Sequence, residues 1–245
     1  MLALRQYFNL PRRLLRKLKY KDVNHYVDCI ETVEALMKLH KPTYICDIGG
    51  YKGTWSYTAY KLCPTVKHVV FFEPQEKFIK DIETLEMPNI KKVIYHCGLG
   101  NTEEEQFIKG GTHSASFLDI SKNQTRYFPK SVYDKKEKVK IRILDTVYKN
   151  ARLPYPDTIK IDVQGFELKV LKGGLEVLKK AHYLIIELSL QQFYKNQPSL
   201  AETISFLGKN NYVMVSHGYE LRWSKNPGVI LQMDGIFKNM QKQKA

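Results

Sequence analysis

The sequence lacks any apolar run of the roughly 20 residues that a membrane-spanning helix needs, and no signal-peptide core precedes its basic N-terminal cluster. Linkers rich in proline, glycine or serine are missing, as are internal repeats. Cysteine is scarce, and the four thiols are neither closely paired nor interleaved with histidine at zinc-site spacings. These absences disfavour a transmembrane protein, a repeat array and a disulfide scaffold. They predict a cytoplasmic protein with reduced thiols.

The apolar residues that are present indicate the fold class. They make up 43% of 245 residues, which is enough to bury one substantial core. Short apolar runs alternate with segments of helical period, typical of an α/β fold with a parallel sheet and crossover helices. The predicted strands are 44–47, 68–73, 92–97, 158–163 and 183–188, with strand-like segments at 105–109 and 138–144. The predicted helices are 54–62, 75–86, one ending at 178, and 200–207.

The C-terminal part of the pattern differs, because no helix separates its last two strands. Strands are predicted at 212–215 and 228–237, with a turn-rich stretch between them that contains His217 and Arg222. The two strands could form a hairpin. His217 and Arg222 would then lie in a turn, where they could contact a substrate.

Positive charge is concentrated at the N-terminus. Residues 1–21 hold seven basic residues and no acid, which is half of the net charge of +14. Leucines recur there at helical spacing, as in an interfacial helix on anionic lipid, a basic arm on nucleic acid, or a solvated capping helix. We therefore divide the chain into a basic arm and helix, residues 1–40, and one α/β domain, residues 41–240.

A glycine-rich turn, Asp47-Ile-Gly-Gly-Tyr-Lys-Gly-Thr-Trp55, follows the first strand. In open α/β sheets this position is the ligand-binding edge, and a helix N-terminus comes next. Gly49, Gly50 and Gly53 match neither the dinucleotide spacing nor the Walker pattern. Asp47 disfavours a pyrophosphate and favours a cationic ligand, although it could also simply cap the helix.

A second acid, Glu73, ends the second strand and could accept hydrogen bonds from two ribose hydroxyls. It could also be a solvated strand end. Together with Asp47 it points to a nucleoside that carries a positive charge and no pyrophosphate. S-adenosyl-L-methionine, with its ribose and sulfonium, fits both acids better than NAD does.

These residues resemble the FkbM-type methyltransferases, a class I family that uses S-adenosylmethionine. The resemblance rests on the glycine turn, Phe72-Glu-Pro74, the Gly98-Leu-Gly100 segment, which we predict to be a turn, Leu144-Asp145, Gln232-Met-Asp234 and above all the run from Asp157 to Gly173. It implies a Rossmann-like sheet of seven mostly parallel strands with a reversed last strand and helices on both faces. It also implies cofactor contacts from Asp47, Gly49, Gly50, Tyr51, Gly53, Glu73, Gly98 and Asp162. Tyr51 and Gln164 depart from the asparagine and glutamate usual in the family.

Three residues are the candidates for catalysis. Asp162 ends a strand at the same edge as Asp47 and Glu73, and could orient a hydroxyl, bind the cofactor's ammonium or cap the next helix. Glu187 is an acid within an apolar strand, so it needs a partner or a function. His113, in the loop 110–116, could act as a base near neutral pH or be merely exposed. No metal is predicted, although Asp162, Glu187 and Asp234 could converge on a divalent ion.

The resemblance implies methyl transfer to oxygen on a sugar, a glycan or a lipid-linked glycan. Two alternatives stay open: an RNA 2′-O-methyltransferase, suggested by the positive charge, and a non-catalytic membrane-associated protein that keeps the cofactor site. Residues 1–21 could contact the anionic inner face of the membrane peripherally. Nucleic acid is not expected as a partner, because no basic strand studded with aromatics is evident.

Overall fold

The computed structural model describes residues 27–111, 113–129 and 135–243. The basic segment 1–21 lies outside the described residues. The helices are α1 Val27–Met37, α2 Thr54–Leu62, α3 Glu76–Glu83, α4 Lys122–Tyr127, α5 Leu144–Asn150, α6 Glu167–Gly173, α7 Leu175–Lys180 and α8 Leu200–Lys209, followed by a 3-10 turn at Met240–Gln243. The strands are β1 Tyr44–Ile48, β2 His68–Glu73, β3 Lys91–His96, β4 Gly98–Gly100, β5 Glu104–Lys109, β6 Lys136–Ile143, β7 Thr158–Ile161, β8 Tyr183–Ser189, β9 Tyr212–Trp223 and β10 Asn226–Asn239.

Seven strands form the main sheet, in the order β3-β2-β1-β7-β8-β10-β9. All neighbours from β3 to β8 pair in parallel, and β10 runs antiparallel to both β8 and β9. This arrangement confirms the predicted Rossmann-like fold with a reversed last strand. Because successive side chains of a strand point to opposite faces, each of the buried strands contributes to two cores.

The two cores lie on opposite faces of the sheet. Ile48 and Cys46 of β1 pack in the cluster that contains Val147, Leu171, Leu178 and Leu207, which belong to α5, α6, α7 and α8. Ile45, which precedes Cys46 and points to the other face, packs in the cluster that contains Val33, Ala59 and Ile82 of α1, α2 and α3. The helices therefore cover both faces, as predicted. None of the described helices is long and apolar enough to span a membrane.

Three predictions about local structure were wrong. The Gly98-Leu-Gly100 segment is a strand, β4, which joins a second sheet in the order β4-β6-β5. The single helix predicted to end at 178 is two helices, α6 and α7, separated at Gly174. The stretch before the last strand is not rich in turns, because β9 and β10 form one long hairpin and His217 and Arg222 belong to β9.

The four cysteines are free thiols, as predicted. Cys46, Cys63 and Cys97 are buried, and Cys29 is partly buried. Burial raises the pKa of the Cys46 thiol to about 12, which keeps it protonated and unreactive at neutral pH.

Candidate active site

A cavity of about 280 Å³ opens at the carboxyl ends of β1, β2, β7 and β8. This is the edge at which open α/β sheets bind ligands. Gly49, Gly50 and Glu73 line it, as do Asp162, Glu187 and Asp234, whose part of the lining we call the far wall. The predicted residues Tyr51, Gly98 and His113 also line it. Asp47 and Gly53, also predicted as cofactor contacts, do not line the cavity.

The glycine turn is shaped by its close approach to β7. Gly49 has a φ of 77°, and a Cβ atom at this position would lie 1.8 Å from the carbonyl oxygen of Asp162. The backbone N–H groups of Gly49 and Gly50 both donate to the carbonyl oxygen of Phe72, which fixes the turn against β2. Only glycine can occupy position 49 without moving the adjoining strand.

Glu73 is almost fully buried at the end of β2. Its carboxylate accepts the backbone N–H of Tyr51 at 2.7 Å and that of Gln75 at 2.9 Å. Burial raises the pKa of Glu73 to about 7, although these two hydrogen bonds favour the ionised form. Each carboxylate oxygen has a further lone pair, so Glu73 can still accept hydrogen bonds from a ligand.

A buried lysine that lines the cavity, Lys160, lies between two acids. The Lys160 ammonium lies 3.7 Å from the Asp47 carboxylate and 3.3 Å from that of Asp162. Burial lowers the pKa of Lys160, but the two carboxylates outweigh it and raise this pKa, so the ammonium stays charged. Asp47 is fully buried and also accepts a hydrogen bond from Ser56 at 2.6 Å. Asp162, with 32% of its side chain exposed, is the acid of this group that faces the cavity.

Glu187 and Asp234 form the far wall, opposite each other on the paired strands β8 and β10. Glu187 accepts hydrogen bonds from the amides of Gln164 at 2.9 Å and Gln232 at 2.7 Å. Asp234 accepts one from the hydroxyl of Thr32 in α1. Burial raises the pKa of Asp234 to about 6, and burial together with the neighbouring acids raises the pKa of Glu187 well above its usual range.

The loop that carries His113 covers one side of the cavity. The His113 ring is exposed and lies edge-on to Tyr51, with 6.2 Å between ring centroids. His217 and Arg222, in contrast, pair with Glu220 on β9 and do not line the cavity.

A family model described as the Methyltransferase FkbM domain matches residues 47–220, which include the glycine turn, Glu73, Asp162 and Glu187. The chain belongs to the FkbM methyltransferase family. The resemblance inferred from the motifs is thereby confirmed, and this domain is an S-adenosylmethionine-dependent methyltransferase.

Several solved methyltransferase structures are similar to this FkbM domain. Methyltransferase FkbM from Methylobacillus flagellatus is 15% identical with a TM-score of 0.49, and the match covers 81% of this chain but 44% of that one. Magnesium protoporphyrin IX methyltransferase from Synechocystis, solved with bound S-adenosylmethionine, is 14% identical with a TM-score of 0.48, covering 97% and 95%. Ribosomal protein L11 methylase from Lactobacillus delbrueckii is 12% identical with a TM-score of 0.47, covering 87% and 77%. No curated protein sequence matches the chain.

The residues of the FkbM domain suit S-adenosylmethionine. Glu73 has free acceptor capacity where ribose hydroxyls would lie, and Asp162 offers a carboxylate to a cationic group. Because Asp47 is fully buried whereas Asp162 lines the cavity and is partly exposed, Asp162 is the better placed of the two acids to attract a positive charge. The bound cofactor supplies the electrophilic methyl group, and the protein has to place a nucleophile in line with it.

Some residues of the site carry no sequence signal. Trp55, Gln75 and Tyr219 line the cavity, but each belongs to a type that is more often structural. The divalent-ion alternative for Asp162, Glu187 and Asp234 gains no geometric support. Within the described ranges, no three side chains of histidine, cysteine, aspartate or glutamate are placed to hold a metal ion.

The pKa of Glu73 predicts that cofactor affinity depends on pH. Because this pKa is raised to about 7, the carboxylate becomes available as pH rises from 6 to 8, and the affinity for S-adenosylhomocysteine should rise with it. Glu73→Gln should flatten this dependence and weaken binding at pH 8 by about tenfold or more, since a hydrogen bond to a charged group contributes about 1.5 to 3 kcal/mol. Titration calorimetry at several pH values measures both effects. Parallel pH profiles for the two proteins would contradict the assignment.

Proposed function

We propose that the domain transfers a methyl group to a hydroxyl of a sugar, free or within a glycan or lipid-linked glycan. The observation that carries this proposal is the pair of carboxylates, Asp162 and Glu187, on the cavity wall beyond Glu73. A hydroxyl is a weak acid, so its attack is favoured by a nearby group that accepts its proton. Its oxygen forms the new bond to the methyl carbon, the carbon–sulfur bond breaks, and the proton passes to a carboxylate. Asp162 is the more exposed of the two acids and is assigned this role.

A labelling experiment tests the acceptor class. The full chain is incubated with S-adenosylmethionine that is tritiated in its methyl group, together with monosaccharides, a lipid-linked glycan or structured RNA. We expect base-stable label in a sugar fraction, because a methyl ether survives mild alkali whereas a methyl ester does not. Label in RNA alone would contradict the proposal and favour a 2′-O-methyltransferase. Cofactor binding without transfer to any class would favour the non-catalytic alternative.

We further propose that residues 1–21 bring the domain to an anionic membrane, where lipid-linked glycans are found. Each basic residue near such a surface contributes about 1 kcal/mol, and salt screens the attraction. The full chain should therefore co-sediment with anionic vesicles at low salt, and deletion of residues 1–21 should abolish this. Neutral vesicles are the control. Equal sedimentation of both proteins would contradict the proposal, as would salt-sensitive RNA binding without vesicle binding.

A further inference from the structure

Gln164 lies where the loop after β7 meets the far wall of the cavity. Its backbone has a φ of 55°, and its side chain is buried. The side-chain nitrogen donates to Asp162 Oδ1 at 2.8 Å and to Glu187 Oε2 at 2.9 Å. One amide group thus joins the two carboxylates on which the proposed function depends.

The orientation of this amide follows from its two acid partners. If the amide were rotated by 180°, its oxygen would face both carboxylates, and two favourable contacts would become repulsive. Both N–H donors therefore stay directed at the acids. The amide oxygen then lies 3.0 Å from the hydroxyl of Tyr194, which also reaches the carbonyl oxygen of Ser114 at 2.9 Å.

Removing this bridge would leave several acids close together. Three other acids act on Glu187: Asp162 in the loop after β7, Glu167 in α6 and Asp234 in β10. Lys160 of β7 is the positive charge that opposes them. Carboxylates that share a site without donors between them take up a proton, and then one of them can no longer act as a base. A donor to each carboxylate favours its ionised form.

We propose that Gln164 is a positioning residue for methyl transfer, which holds the Asp162 and Glu187 carboxylates at a fixed separation by donating one N–H to each. This inference rests on the proposed function of the acid pair. Gln164 acts through these two acids and does not touch the hydroxyl that is methylated.

Gln232 provides a matched control. Its amide donates to the same oxygen, Glu187 Oε2, at 2.7 Å, and its other partner is Ser189, so it does not reach Asp162. Gln164→Leu and Gln232→Leu each remove one amide donor from Glu187. Only Gln164→Leu also removes a donor from Asp162.

The test combines a titration with a rate profile. Carboxyl ¹³C NMR of labelled Glu187, assigned with Glu187→Gln, should show both variants raising the Glu187 midpoint by about one pH unit, the shift expected from losing a charge-assisted hydrogen bond. In the pH profile of kcat, the acidic limb should shift to higher pH together with the Glu187 midpoint. At pH values above that limb, Gln164→Leu should still be slower than wild type by about tenfold to a hundredfold. At the same pH values, kcat of Gln232→Leu should be within about threefold of the wild-type value. The KM for S-adenosylmethionine should change little in either variant.

Equal plateaus for the two variants would overturn the inference, because Gln164 would then act on Glu187 alone. An unchanged Glu187 midpoint in Gln164→Leu would also overturn it. If Gln164→Leu does not fold, Gln164→Met decides, since it keeps the length of the buried side chain and removes the same two N–H donors, and it should lower the kcat plateau by about tenfold to a hundredfold. The NMR titration needs no acceptor, so it tests the hydrogen bonds of Gln164 even if the acceptor is not a sugar. A wild-type protein that methylates no sugar would contradict the proposed function, and the titration would still decide whether Gln164 acts on Glu187.

Discussion

Replacing Asp162 with asparagine should slow methyl transfer by about a hundredfold to ten-thousandfold, the usual contribution of a general base. Affinity for S-adenosylmethionine should fall by less than about tenfold. Asparagine has the shape of aspartate and can still accept from the Gln164 amide through one oxygen, but it cannot take the proton of the attacking hydroxyl. A group that acts mainly in the transition state lowers kcat far more than it changes binding.

Glu167→Gln is the control for this experiment. Glu167 is a buried acid of the same segment that accepts the backbone N–H groups of Val163 and Gly165, and it does not line the cavity. Its replacement should change the free energy of unfolding and leave kcat within a few-fold of wild type. Single-turnover rates and calorimetry separate the two effects. Equal losses of rate and affinity in Asp162→Asn would make Asp162 a cofactor ligand and not a base.

Gly49→Ala should be among the most destabilising single changes in the domain, by more than about 4 kcal/mol. The added Cβ would lie 1.8 Å from the carbonyl oxygen of Asp162, and alanine is strained at a φ of 77°. The Asp162 backbone cannot easily withdraw, because its N–H donates to Ile48 and continues the pairing of β1 with β7. Urea unfolding measures the effect, and binding of S-adenosylhomocysteine should be lost with it.

Gly208→Ala is the matched control, because nothing lies within 4 Å of a Cβ at this position of α8. It should raise the free energy of unfolding by up to about 1 kcal/mol, since alanine favours the helix. If Gly49→Ala unfolded at the same urea concentration as Gly208→Ala, the close contact with β7 would be wrong.

The sequence predicts the first half of the fold well because its signals there are local. The bounds 54–62 and 68–73 match α2 and β2, where a helical period and a continuous apolar run fill whole elements. Strand β9 is predicted far too short, because it lies at the edge of the sheet and most of its positions are exposed or half-buried, so it lacks a continuous apolar run. Ser216, His217 and Gly218 then resemble turn residues. Only the pairing with β10 makes them a strand.

The same distinction applies to the site. Glu73 and Asp162 could be named from their places at strand ends, since parallel strands bring those ends to one edge, and Glu187 from being an acid in an apolar strand. The side chains that pair with these acids could not be predicted from the sequence. That Lys160 lies between Asp47 and Asp162, and that Gln164 joins Asp162 to Glu187, depends on side-chain directions fixed by packing across β1, β7 and β8.

The insertion of β10 between β8 and β9 has a consequence for how the domain is made. β10 follows the other six strands of the sheet in the sequence, yet it lies inside the sheet. During synthesis β8 is therefore complete before its partner β10 has been made. One edge of β8, which includes Ile185, Ile186 and Glu187, remains unpaired until β10 is synthesised. The Thr32–Asp234 bond, which ties α1 to β10, joins residues 202 positions apart, and contacts of such separation form slowly. Growth at low temperature, or a chaperone that shields open strand edges, should raise the yield of folded protein, because the open β8 edge can otherwise pair with another chain.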